Sequence, residues 1–108
     1  DIPAKLDKNE DAQAFYGLLK PFFEEHALDA PACEDLSADA ALAIQDILRR
    51  NWKVHFWDDD DARKKVINDI DDYLYDEIKG ARSVSLSTEQ MDEIIERSMQ
   101  LARRRMPS

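Results

Sequence analysis

The chain has 108 residues, a hydrophobic fraction of 44%, a charged fraction of 36%, only two glycines and four prolines, and a formal net charge of -9. That length fits one domain with one core, and the composition favours helices with charged outer faces over a turn-rich β fold. The acidic balance argues against a dedicated nucleic-acid-binding domain, which needs clustered Lys and Arg to neutralise phosphates.

Cys33 is the only cysteine, which excludes an internal disulfide and fits a reducing, cytoplasmic setting. No apolar run approaches the roughly 18 residues of a membrane span. The start Asp1-Ile2-Pro3-Ala4-Lys5 lacks the basic and apolar regions of a signal peptide, and a start without Met fits an excised fragment.

Residues 1–8 contain Pro3, show no sustained period and read as a linker or arm; residues 9–106 read as one helical domain, and 107–108 as a tail. Asn9 is positioned to cap a first helix in which Ala12, Phe15, Tyr16, Leu19, Phe22, Phe23 and His26 recur on one face. Pro21 lies inside that pattern and crowds the carbonyl of Gly17, which predicts a kink or break near Lys20. The stretch from Leu28 to Asp35 reads as a loop containing Cys33, followed by a second helix capped by Ser37 and carrying Ala38, Ala41, Leu42, Gln45 and Leu48.

From Trp52 to Trp57 the period changes to alternation, with Trp52, Val54 and Phe56 on one side and Lys53, His55 and Trp57 on the other. With no second strand to pair with, this reads as an extended connector whose apolar side plugs the core. A third helix starts in the acidic run Asp58–Asp61, carries Ala62, Val66, Ile67, Ile70, Tyr73, Leu74 and Ile78, and meets Gly80 where a left-handed cap would fall. The fourth has the sharpest start: Ser87-Thr88-Glu89-Gln90 is a capping box, with Leu86 and Met91 at the staple positions. The expected fold is all-α, a compact bundle of four principal helices with the last two as an antiparallel hairpin.

A phosphate-cradling loop G-x-x-x-x-G-K-[ST] is absent, so nucleotide hydrolysis is not expected of this chain. The run Asp58–Asp61 has Arg63 and Asp69 where a calcium loop needs Gly and Glu, and a helix start is the better reading. Asp69, Asp72 and Asp76 share a helical face, which reads as a solvated or protein-docking surface; a metal site there would need Glu93 and Glu96 from the fourth helix. His26, His55 and Cys33 fall in no ligand or nucleophile pattern. Arg49, Arg50, Trp52, Lys53 and Trp57 interleave cations with aromatics, the combination that holds phosphates and stacks bases. With Arg63, Lys64, Lys65 and Arg103, Arg104 and Arg105, they are the candidate contacts to DNA or a partner. The competing explanation is that the arginines complement the C-terminal ends of helices.

The run Asn51 to Gly80, closing with Leu86 to Met106, resembles the C-terminal helical region of the motor (restriction) subunit of type I restriction-modification enzymes, and Ala14-Phe15-Tyr16-Gly17-Leu18-Leu19 resembles the string that opens that region. The resemblance implies the C-terminal accessory domain of a motor subunit that joins the methyltransferase and specificity subunits on DNA; the leading expectation is that the domain docks the motor onto that core, with direct contact to duplex DNA left open as an addition. ATP and Mg would then serve the helicase-like and nuclease parts of the intact subunit, an ATP-dependent translocase and endonuclease; no cofactor, metal or catalytic residue is expected in this fragment, and no membrane partner. The alternative is a purely structural helical clasp on the subunit's own helicase lobes. A weaker enzymatic rival would use the carboxylates of the third and fourth helices for metal-dependent nuclease work.

Overall fold

The computed structural model describes residues 2–26 and 28–107. Four helices form the frame: α1 (Glu10–Glu24), α2 (Ala30–Arg50), α3 (Asp60–Tyr73) and α4 (Thr88–Arg105). Contacts between their ends fix the order. Asn9 bonds Gln45; Asn51, just past α2, bonds Asp69, whereas Arg82, well past α3, reaches back to Asp39 on α2; the Trp57 indole bonds the Met106 carbonyl, and Arg105 pairs with Asp11. Neighbouring helices are therefore antiparallel, and α1 packs on α2 and α4 while α3 packs on the same two. This is an up-down-up-down bundle, as the short connections require.

Asn9 accepts from the Ala12 amide, as expected of the cap of α1. The helix then continues through Pro21 to Glu24, so the proline does not break it. Gly17 and Pro21 are both exposed, and the carbonyl deprived of its donor lies on the side that water reaches. Upstream, Ala4–Leu6 forms a turn of 3-10 helix, and Leu6 is fully buried in the core.

The second helix begins eight residues earlier than the Ala38 start the sequence suggested. Asp29 caps it by accepting from Ala32, and Pro31 occupies the first turn, where its missing N–H costs no hydrogen bond. Cys33 is thus a buried helical residue rather than part of a loop, and Ser37 is no cap: its hydroxyl donates back to the Cys33 carbonyl at 2.7 Å. The connector also departs from alternation. His55 takes a left-handed φ of 59° and leads into a 3-10 turn at Phe56–Asp58, so Val54 is 77% exposed while Trp57 joins Phe56 in the core.

Asp59 is the cap of α3. Beyond Tyr73 the helix widens into a π-helical segment, Leu74–Ala81. The apolar residues Val66, Ile70, Leu74 and Ile78 follow a strict four-residue spacing, which in an α-helix rotates the stripe by about 40° at each step. A π turn holds more residues than an α turn and cancels part of that drift, and Ile78 remains fully buried. Gly80 is not the left-handed residue; Ser83 is, with φ 57°, because the widened turn carries the chain past Gly80 before it reverses. The capping box of Ser87 and Gln90 is present as expected, with Leu86 and Met91 both buried. Among the described residues, no helix is long and apolar enough to cross a membrane.

Candidate functional site: an acidic groove and a basic end

The third helix lies against α2 along an open groove of about 300 Å³ lined by Ala43, Asp46, Ile47, Arg50, Asp69, Asp72, Tyr73, Asp76 and Glu77. Its charges are unequal in their freedom. Asp69 is committed internally: Lys65 bonds it at 2.7 Å, Asn51 at 3.2 Å, and Arg50 approaches to 3.5 Å while also holding Asp46 at 2.9 Å. Lys65 first, and then Asn51 and Arg50, hold the Asp69 carboxyl below the ordinary carboxylate range. Asp72, Asp76 and Glu77 have no ion-pair partner among the described residues. Of the docking face read from the sequence, Asp72 and Asp76 are therefore open and Asp69 is occupied; Glu77, four residues past Tyr73 in the same run, joins the groove, and Asp46, on α2, is an addition that no signal within the third helix could reveal. Burial, aided by the negative charge of Asp39, pushes the Tyr73 phenol at the groove floor up to about 12.

The candidate cations gather at one end. An up-down-up-down bundle brings together the start of α1, the end of α2, the start of α3 and the end of α4. One shallow groove here is lined by Lys8, Asn9, Glu10, Asp11, Arg49 and Arg105. Beside it, Trp52 stacks on Phe56 with ring centroids 4.6 Å apart, and Trp57 meets both edge-on. Arg103 lies over the Trp57 ring, 5.6 Å from its centroid, and the indole N–H is anchored on the Met106 carbonyl at 2.8 Å. Trp57 is therefore a buried support for Arg103, not a free stacking face, whereas Trp52 is half-buried.

Pairing sorts the cations further. Arg50 is held by Asp46 and Asp69, Lys53 by Asp59, Arg63 by Asp60 and the Trp57 carbonyl, Lys65 by Asp69 and Arg105 by Asp11. The Lys53 bond, reinforced by the Ala62 amide, lowers the Asp59 carboxyl. Arg49, Lys64, Arg103 and Arg104 are exposed and have no carboxylate partner among the described residues. Neither has Lys8, which joins the set only because folding places it beside Arg49.

Glu93 pairs with Arg97 in a different groove, with Pro21, Phe22 and Glu25, so the fold does not bring it to the α2 side of α3. Among the described residues, no three His, Cys, Asp or Glu side chains are disposed to hold a metal ion. No protein-family model, curated protein or solved structure matches the chain.

Proposed function

We propose that this chain is a helical assembly domain, the C-terminal accessory domain of a type I restriction enzyme motor subunit, and that it docks on the methyltransferase and specificity core through the acidic flank between α2 and α3. The resemblance of Asn51–Gly80 and Leu86–Met106 to that region supports the family. The observation that carries the docking role is the groove in which Asp72, Asp76 and Glu77 stand beside Ile47 and Tyr73 with no ion-pair partner among the described residues. Uncompensated carboxylates around a small apolar floor suit a basic protein surface, since complementary charge steers encounter and fixes register.

Isothermal calorimetry of the domain against the purified core, without DNA, tests this. Binding at micromolar strength or better is expected. It should weaken roughly tenfold when Asp72→Asn, Asp76→Asn and Glu77→Gln are combined, at about 0.5 kcal/mol for each exposed pair lost. Undiminished heat from the triple variant would refute the groove, and no heat from the native chain would favour the clasp on the helicase lobes.

A further inference from the structure

The segments that meet at the basic end, residues 7–11, 49–64 and 103–105, carry nine cations and seven carboxylates, whereas the rest of the chain carries six cations and 17 carboxylates. The net charge of -9 therefore belongs to the remainder of the bundle. We propose that this end binds the phosphate backbone of duplex DNA through Lys8, Arg49, Arg103 and Arg104, at a site separate from the acidic docking flank.

Four features carry the assignment. First, these cations come from the segment before α1 and from the ends of α2 and α4, and among the described residues none is paired with a carboxylate that it would have to give up to take a phosphate. Second, Arg103 is held in place: its guanidinium carbon lies 5.6 Å from the centroid of the buried Trp57 ring, a cation–π distance, and its N–H donors have no carboxylate partner among the described residues. Third, Lys8 is held at the mouth of the groove by its left-handed φ of 62° and by the Asn9 amide bonding the Leu6 carbonyl. The positive end of α1 adds to the field there. Asp11 in the same groove is already neutralised by Arg105, which leaves Glu10 as the opposing charge among the residues that line the groove. Fourth, the groove is lined only by polar side chains. It offers a protein partner nothing apolar to bury at an interface centre, whereas phosphate oxygens need only charge and hydrogen-bond donors.

Fluorescence anisotropy of the chain on a labelled duplex tests the proposal. Four phosphate contacts predict a slope of log affinity on log salt of about -3.6, a loss of about 150-fold between about 50 and 200 mM salt. Combining Arg49→Gln, Arg103→Gln and Arg104→Gln should reduce the slope to about -0.9. Lys79→Gln, which removes a cation that lies over Tyr75 away from this end, should leave it unchanged. If the triple variant unfolds by circular dichroism, Arg104→Gln alone serves and should shift the slope by about 0.9. No binding at low salt, a slope that none of the basic-end substitutions moves, or polyglutamate bound as tightly as DNA would each overturn the proposal. The triple variant should still give full calorimetric heat with the methyltransferase and specificity core, so failure here and failure of the docking role are told apart.

Discussion

Asn9 and Gln45 exchange two hydrogen bonds of 2.8 Å each: the Asn9 amide donates to Gln45 Oε1, and Gln45 Nε2 donates to Asn9 Oδ1, which also accepts from the Ala12 amide at 3.1 Å. Gln45 is 3% exposed, so the pair fixes the start of α1 against the late turns of α2 and thereby sets Lys8 beside Arg49. Asn9→Ala removes a helix cap, about 1 kcal/mol, and strands a buried amide, a further ~1–3 kcal/mol. Gln45→Leu keeps the cap and leaves only the partly exposed Asn9 amide unpaired, at about 1 kcal/mol. The double variant loses the cap but strands nothing, so it should cost about 1 kcal/mol, and the single costs should exceed it in sum by roughly 2–4 kcal/mol. Urea unfolding followed at 222 nm measures all three. Additivity within about 0.5 kcal/mol would refute the reciprocal pair and, with it, the placement of Lys8.

Leu6→Ala should cost about 2–5 kcal/mol in the same assay, because the segment before α1 is seated in the core; a loss below about 1 kcal/mol would detach it. Ser83→Gly should stabilise by up to about 1 kcal/mol by relieving a left-handed side-chain residue. Gly80→Ala should also stabilise, by about 0.5–1 kcal/mol, since its φ is not positive and the added Cβ meets Tyr75 O at an ordinary 3.4 Å; a loss would return the cap to Gly80. Burial alone would raise the Asp39 carboxyl, but hydrogen bonds from Lys5 and Arg82 outweigh it and hold the group below its ordinary 3.8. Its contribution is therefore present above about pH 4 and lost as pH falls through the folded value, so the gap between native and Asp39→Asn stability should close on acidification. Tyr73 has the opposite sign: with its folded phenol raised to about 12, the unfolded chain ionises first. Stability should fall as pH rises from about 10 to about 12, and Tyr73→Phe should flatten that fall.

How much of this was legible in the sequence depends on whether the signal was local. The Asn9 cap, the capping box at Ser87 and the stripe from Val66 to Ile78 are satisfied within a few residues of themselves, and all were readable. The start of α2 was equally local but misread, because Pro31 two residues after Asp29 looks like a break until it is placed in a first turn. Trp57 and Val54 exchanged sides because one left-handed residue, His55, resets the alternation. Gly80 was a sound cap for an α-helix, and only the π segment moves the reversal to Ser83. For the candidate sites, the residue types were visible, but neither the convergence of four termini nor the distinction between paired and free cations was. Asp69 and Asp72 look alike on a helical wheel; Lys65, Asn51 and Arg50 commit one and leave the other open.

Arg104 separates the two explanations of the basic end. Arginines at the ends of α2 and α4 complement the negative helix termini, an effect of about 0.3–1 kcal/mol that fades within the last turn. The same rule places acid at the starts of α1 and α3, so capping alone would leave an end where the four termini meet close to neutral. Arg104 can serve either role: it stands in the last turn of α4 and is exposed, with no carboxylate beside it among the described residues. If it serves the helix terminus, Arg104→Gln should lower stability by about 0.3–1 kcal/mol and leave DNA affinity and its salt slope untouched. If it serves phosphate, the melting curve should barely move while the slope falls by about 0.9. Anisotropy and thermal melts on one substitution thus decide between a cap and a contact, and an unchanged slope would remove Arg104 from the phosphate set.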